Sequence, residues 1–506
     1  MNRGLRNQKV MGRVTVLVTV TASLLLPVAA RAQPPPRTLE LSLKESIGRA
    51  LQKNFEIQME RFNPQIRDQD IIREEAAFDP SVFADADANF ERTPSISALT
   101  QIQERETESQ KADVGVRQRF KTGTEYGVSF ETIRSENNAA FITVDPAYTP
   151  RLNLTLRQNL LKNFGVNTNT TAIRVAQNDR QVSEFAFKNR VIQTISEVQD
   201  LYWELIFSIQ DLEVKRQSLG LARDLLRRNR IQVDVGTLAP IEIIQAEARV
   251  ASREADVIVA ERLAQDNEDL IKRAINLDPG EWDVPLKPTD EPLYEEKAPA
   301  LQENYQVALK NRPDRAQAKL DLETKTLEVS FERNQLLPTV DLKGGFGLNG
   351  LDDSFDDSIS DFGTGDFFSW QVGVAFDYPF GNRVAKSRLT QRRLEVNQAQ
   401  ASLDNLEQQI FLEVREAVRR VETDQKRVSA TQAARVLSER QLDAEEKKLE
   451  VGLSTSFNVL EFQEDLAESQ SNETRALTDY NRSLVNLDRT VGLTLKQHQI
   501  QLEKGP

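Results

Sequence analysis

The chain has 506 residues, of which 39% are apolar, 28% charged and 7% aromatic, so it is too apolar for a disordered polypeptide and long enough for several ordinary domains. Cysteine is absent, which excludes disulfide staples, thiolate metal centres, cysteine nucleophiles and thioether lipid anchors; the one histidine, His498, lies in the tail and is expected to be solvated rather than catalytic. The formal net charge of −13, from 78 acidic and 65 basic side chains, provides no overall basic footprint for nucleic acid.

Arg3, Arg6, Lys9 and Arg13 precede an apolar run from Val14 to Ala30, which closes on Ala30-Arg31-Ala32. This reads as a secretory signal peptide over residues 1–32, followed by a proline-rich linker over 33–40. Cleavage would remove five basic residues and no acids, shifting the net charge from −13 to −18. The run is shorter than the ~20 residues of a membrane-spanning helix, and no other run approaches it. If the protein crosses a membrane, it must do so with β-strands.

The remainder is one unit written twice. At an offset of 216, Phe164-Gly165 falls on Phe380-Gly381, Glu197-Val198 on Glu413-Val414 and Val235-Gly236 on Val451-Gly452. Upstream the offset is 258, pairing Ala50-Leu51 with Ala308-Leu309 and Pro80 with Pro338. The larger offset upstream means that the first copy carries an insertion between Pro80 and Phe164, whose length is the difference between the two offsets. The expected organisation is a first repeat over 41–276, a proline-rich extended connector over 277–299, a second repeat over 300–493 and a tail over 494–506.

Each copy reads helix, strands, long helix, turn, helix. The first helix is expected from about Leu43 to Ala77, stopped by Phe78-Asp79-Pro80 because the residue before proline disfavours the α region. From about 169 to 234 no proline intervenes, and Val198, Leu201, Leu205, Ile209, Leu212, Leu219 and Leu226 mark a coiled-coil seam; its counterpart covers about 383–450. Such a helix is roughly 100 Å long, too long for a globular domain. The third helix, about Ala239 to Asn276, and the first have a similar summed length, which suits two half-length helices laid end to end beside the long one.

Strand signals sit only between the first and second helices of each copy, over about 80–160 and 338–378. Leu152, Leu154 and Leu156 alternate with polar neighbours, as do Val372, Val374 and Phe376. Alternation alone favours a half-buried strand of a soluble sandwich. Phe367, Phe368 and Trp370 opening the last strand, with Tyr378 and Phe380 closing it, have the spacing of the two aromatic girdles of an outer-membrane barrel. So few strands close a barrel only when several chains contribute.

In order and spacing, the Leu41-Ser42-Leu43-Lys44-Glu45-Ser46 opening, Ala76-Ala77-Phe78-Asp79-Pro80, Ala308 to Asp314, and the turns Val235-Gly236-Thr237 and Val451-Gly452-Leu453-Ser454 resemble the TolC-like outer-membrane efflux family, over residues 41 to about 493. The resemblance implies a mainly α fold with a membrane β-barrel portion. It further implies a homotrimer whose strands share one barrel in outer-membrane lipid, and whose helices form a twelve-helix periplasmic tunnel. Such a protein is an exit duct of a tripartite efflux or type I secretion system, located in the outer membrane of a Gram-negative-type bacterium. Its partners are a periplasmic adaptor and an inner-membrane pump, with no enzymatic step, cofactor, metal or nucleic acid. The alternative from another class is a soluble periplasmic helical scaffold or adaptor. The family's usual four strands per chain is a point of departure: Val114, Val116 and Phe120, with Tyr126, Val128 and Phe130, predict an additional hairpin over about 111–134 around Thr122-Gly123. It either enters the barrel or stands outside it.

Two groups of residues are candidate sites. Val235, Gly236, Thr237, Val451, Gly452, Leu453 and Ser454 form helix-ending turns, and by resemblance these tips dock the adaptor. Just before them, at the same offset of 216, Glu439, Asp443 and Glu446 correspond to Arg223, Arg227 and Arg230, acid against base. They are either solvated faces or a charged gate that holds the tunnel mouth closed. Gly345 to Gly350 matches a dinucleotide fingerprint but is expected to be a flexible strand end followed by an acidic loop, Asp352 to Asp366. Asp85 to Asn89 begins like a calcium loop but lacks its glycine and its closing glutamate.

Overall fold

The structure is a computed structural model that describes residues 38–94, 104–139, 142–296 and 298–502. The expected signal peptide lies outside the described residues. The first repeat comprises β1 (Leu39–Leu41), α1 (Leu43–Lys53), α2 (Phe55–Glu75), β2 (Ser81–Pro94), β3 (Glu104–Arg119), β4 (Thr124–Asn137), β5 (Ala147–Asn159), a single turn α3 (Val166–Asn169), α4 (Thr171–Asp234) and α5 (Ile241–Ala274). A connector strand, β6 (Leu286–Pro288), leads to the second repeat: α6 (Leu301–Asn311), α7 (Pro313–Gln335), β7 (Thr339–Asn349), α8 (Phe355–Thr364), β8 (Phe368–Asp377), α9 (Arg383–Glu450), α10 (Ser456–Val491) and the short α11 (Thr494–Gln497).

The opening helix of each repeat is broken at one equivalent place. Arg312 precedes Pro313 and is extended, with ψ 124°, because the proline ring disfavours α geometry before it. Asn54, its counterpart in the first repeat, has the same ψ without a proline. Its side chain accepts from Glu56 N at 2.9 Å and Ile57 N at 3.3 Å, so it caps α2 while ending α1. The single first helix expected from the sequence is thus two helices. Ser42 and Glu45 form a reciprocal capping box at the start of α1.

Helices α4 and α9, 64 and 68 residues long, extend for about 96 and 102 Å at 1.5 Å per residue. Near the sheet, α2 packs on α4, α4 on α7, and α7 on α9; toward the far end the order is α5, α4, α10, α9. Four helices therefore lie abreast at either level, with shorter helices following one another along the two long ones. Tyr202, Val198, Leu205 and Ile195 are fully buried in a cluster that gathers β1, α1, α4, the end of α5 and the connector. A second cluster around Val414, Val421 and Tyr480 joins α6, α9 and α10, and a small third one around Leu225, Leu442 and Leu460 lies near the far turns.

The connector is more structured than a proline-rich linker. β6 pairs in parallel with β1, Glu40 opposite Lys287. The Tyr202 hydroxyl is a hub there: it donates to Asp290 Oδ2 at 2.7 Å and accepts from the Thr289 and Asp290 amides at 3.2 Å. His498, expected to be solvated, is half-buried, and that burial lowers its pKa below the usual histidine value.

The remaining strands form one six-stranded antiparallel sheet in the order β2-β3-β4-β5-β7-β8. The additional hairpin is β3–β4, set between β2 and β5. The acidic segment after β7 is a helix, not a loop. Ser354 caps it by accepting from Asp357 N at 3.2 Å, and its apolar side is anchored by Phe355 against Tyr148 and Phe362 against Phe130.

Candidate functional site

The six strands align their side chains in rows, because residues opposite one another in a sheet share a face. One row reads Val82, Val116, Val128, Leu154, Phe346, Trp370; the next reads Ala84, Val114, Phe130, Leu152, Leu348, Phe368. A third adds Tyr126, Leu156, Gly344 and Val372. Val82, Val114, Leu154, Phe346, Trp370 and Val372 are all exposed in the single chain. So contiguous an apolar wall is far beyond the patches that water-facing surfaces tolerate.

The opposite face is polar and laced with ion pairs. Lys111 meets Glu131 at 2.7 Å, Glu131 lies 3.9 Å from Arg151, and Arg157 pairs with Asp341 at 2.6 Å and approaches Glu125 at 3.8 Å. Glycines Gly115, Gly127, Gly345 and Gly347 share this face. The fingerprint-like Gly345 to Gly350 thus belongs to a strand and its end, and Asp85 and Asp87 sit on the polar side of β2. β2 and β8 leave one edge each unpaired in the chain. Phe367, Phe368, Trp370, Tyr378 and Phe380 lie along the β8 edge, all exposed.

At the far end the chain reverses twice. In the α4–α5 turn the Gly236 amide bonds to Val233 O at 2.9 Å and the Thr237 amide to Gln232 O at 2.8 Å; in the α9–α10 turn Gly452 bonds to Leu449 O at 3.0 Å and Leu453 to Lys448 O at 2.8 Å. These are matching Schellman caps, with φ of 80° at Gly236 and 76° at Gly452. The caps leave apolar side chains in water: Val235, Val451 and Leu453 are 68, 69 and 79% exposed. Ser454 donates to Glu445, whose pKa is held below the usual range by its bonds from Lys448 and Ser454.

The charged stripes find other partners within the chain. Arg223 pairs with Glu254 and Arg230 with Glu247, both on α5, while Arg227 pairs with Asp224. Glu439 pairs with Arg435 and Asp443 with Lys447 on their own helix. Helix α10 stands between α4 and α9 at this level. Among the described residues, no ion pair joins the two stripes inside one chain.

Sequence reasoning missed the polar groups buried between the two hairpins. Asn229 and Ser456, each 1% exposed, are hydrogen-bonded at 2.9 Å. Arg253, buried on α5, donates to Ser218 Oγ at 2.6 Å and to Leu460 O at 3.3 Å. Its burial lowers its pKa, against the opposing pull of Glu464. Small polar residues at seam positions are the available signal.

Three solved channels are similar to this architecture over most of their length. The CmeC outer membrane channel of Campylobacter jejuni matches with TM-score 0.66 at 15% identity, covering 89% of this chain and 86% of that one. VceC, an outer membrane protein of Vibrio cholerae, gives 0.65 at 17%, covering 89 and 96%. The open state of the MtrE outer membrane channel of Neisseria gonorrhoeae gives 0.63 at 17%, covering 89% of both. No curated protein sequence matches the chain. Residues 304–493, nearly all of the second repeat, match the family described as outer membrane efflux protein. The chain thus has the fold of these outer-membrane channels, and its residues 304–493 match the outer membrane efflux protein family.

Proposed function

We propose that the protein is the passive exit duct of a tripartite efflux or type I secretion system, assembled as a homotrimer and opened by a periplasmic adaptor and an inner-membrane pump. The observation that carries this reading is the continuous apolar wall on a sheet with two open edges, joined to helices about 100 Å long. Unpaired strand edges are untenable in hydrocarbon, so the sheet must be completed by neighbours. The helical flanks support the same assembly. Phe55, Met59, Phe62 and Ile66 recur at heptad spacing along α2 with more than half of each exposed, and Leu394, Leu412 and Leu437 are exposed on α9 at the other flank. Three chains, each with four helices abreast, make a twelve-helix tunnel.

In this reading the two Schellman tips, with Val235, Val451 and Leu453 in water, dock the adaptor. The arginine stripe of α4 meets the acidic stripe of a neighbouring α9 near the tunnel mouth. The experiment is fractionation followed by reconstitution. The duct remains in detergent-extracted outer membrane as a trimer and forms channels in planar bilayers; a chain that washes off and shows no conductance contradicts the proposal.

A further inference from the structure

The β3–β4 hairpin has no counterpart in the second repeat; it occupies the insertion by which the first copy is longer. Resting on the duct reading above, we propose that this hairpin is a lipid-facing segment of the barrel wall, so that three chains close an eighteen-stranded barrel as wide as the helical tunnel beneath it.

Four observations lead here. The hairpin lies inside the sheet, with β3 paired along β2 from Ser81 to Pro94 and β4 paired along β5 from Thr124 to Ser135, so it does not project from an edge. Its Val114, Val116, Val128 and Phe130 continue the apolar rows, while Lys111, Glu125 and Glu131 continue the ion-paired polar face. Its turn is seated on the junction with the helices. The Gly165 amide donates to Thr122 O at 3.1 Å, Arg119 donates to Asn169 Oδ1 at 2.7 Å, and Gln118 donates to Phe78 O at 2.9 Å. Gly123, at φ 88°, is so close to Asn163 that a Cβ there would fall 2.5 Å from its carbonyl oxygen. A hairpin standing free outside the cell would leave that turn in water. Finally, six antiparallel strands make the two edges run in opposite directions, so β8 of one chain meets β2 of the next in antiparallel register, as a closed all-antiparallel barrel requires.

The geometry of closure gives the width. With strands about 4.8 Å apart and tilted about 40°, eighteen strands enclose a backbone diameter of about 36 Å, against about 24 Å for twelve. Twelve helices about 10 Å apart form a ring of about 38 Å. Eighteen strands at this tilt therefore match the ring of helices in width. Only its lower half lies in lipid: on the same face, Glu104, Glu106, Glu108, Arg134 and Glu136 place charge farther up, beyond the hydrocarbon.

The chain has no cysteine of its own, so single cysteines report directly on each position. The test labels full-length trimers in native outer membrane with a water-soluble, membrane-impermeant maleimide. Variants Val114→Cys and Val128→Cys probe one face, and Asp113→Cys, Ser129→Cys and Glu131→Cys the other. Leu154→Cys and Asn153→Cys in β5 are controls. The expected result is labelling slower by on the order of tenfold at the apolar positions than at their polar neighbours, in the hairpin as in β5. Alternation in β5 with uniformly fast labelling of β3 and β4 overturns the eighteen-stranded barrel and leaves the duct intact; uniform labelling in β5 as well overturns the duct itself. An image of the unmodified purified trimer, counting eighteen or twelve strands, decides the matter independently of any substitution.

Discussion

Asn229 and Ser456, far apart in the chain, share a buried hydrogen bond of 2.9 Å where the two helical hairpins meet. Asn229 also reaches Glu242 O at 3.5 Å, so one side chain links α4, α5 and α10. Ser456→Ala leaves the Asn229 carbonyl oxygen buried without this partner, at a cost of about 1–3 kcal/mol. Faster protease cleavage confined to the far turns is the expected outcome; cleavage indistinguishable from the parent protein counts against a structural role for the pair.

Gly452 sits at φ 76° with open space around its Cβ position, so a substitution there strains the backbone without creating a clash. Gly452→Val should cost about 1–2 kcal/mol locally. If the turn docks an adaptor, export and adaptor co-purification are lost while trimer and membrane insertion persist. Loss of the trimer instead would contradict the docking role.

Reversing Glu439 and Asp443 to lysine removes two exposed intrahelical pairs whose own contribution is small. A gate formed between chains predicts a larger effect, since three copies of the stripe act together on one opening equilibrium. Higher single-channel conductance in planar bilayers is expected. Closed-state conductance equal to the parent's would show that the stripes are only solvated faces.

Tyr202 has its pKa pushed up to about 12, first by burial and then by its bond to Asp290. The folded chain holds this proton more tightly than the unfolded chain does. The stabilisation is complete below pH 10, the ordinary tyrosine value, and is lost as pH rises toward 12. Tyr202→Phe should lose about 1–3 kcal/mol at neutral pH, because the Asp290 amide loses its partner, while the Thr289 amide and the Asp290 carboxylate keep only Leu41 O and the Leu43 amide. Thermal unfolding between pH 9 and about 12 should converge for the two proteins; a constant difference argues that the hydroxyl is no hub.

How much is legible differs between elements for physical reasons. The absence of proline from the stretches that form α4 and α9, and the glycines that cap them, are local properties of the backbone. The break at Asn54 is hard to read because a capping side chain there does what Pro313 does openly in the second repeat. The acidic segment Asp352 to Asp366 reads as a solvated loop. Its helix depends on Ser354 as cap and on Tyr148 and Phe130, which belong to the first repeat, as anchors for its apolar side.

The duplicated unit, the extreme helix length and an apolar face on the strands are all written in the linear chain, since periodicity and chain breakers act through the residues next to them. Folding was needed to establish which strands are neighbours, that β3–β4 lies inside the sheet, and that Arg223 and Arg230 find their partners on α5. Those outcomes rest on contacts between distant segments. Alternation defines which way a side chain points but not what stands beside it.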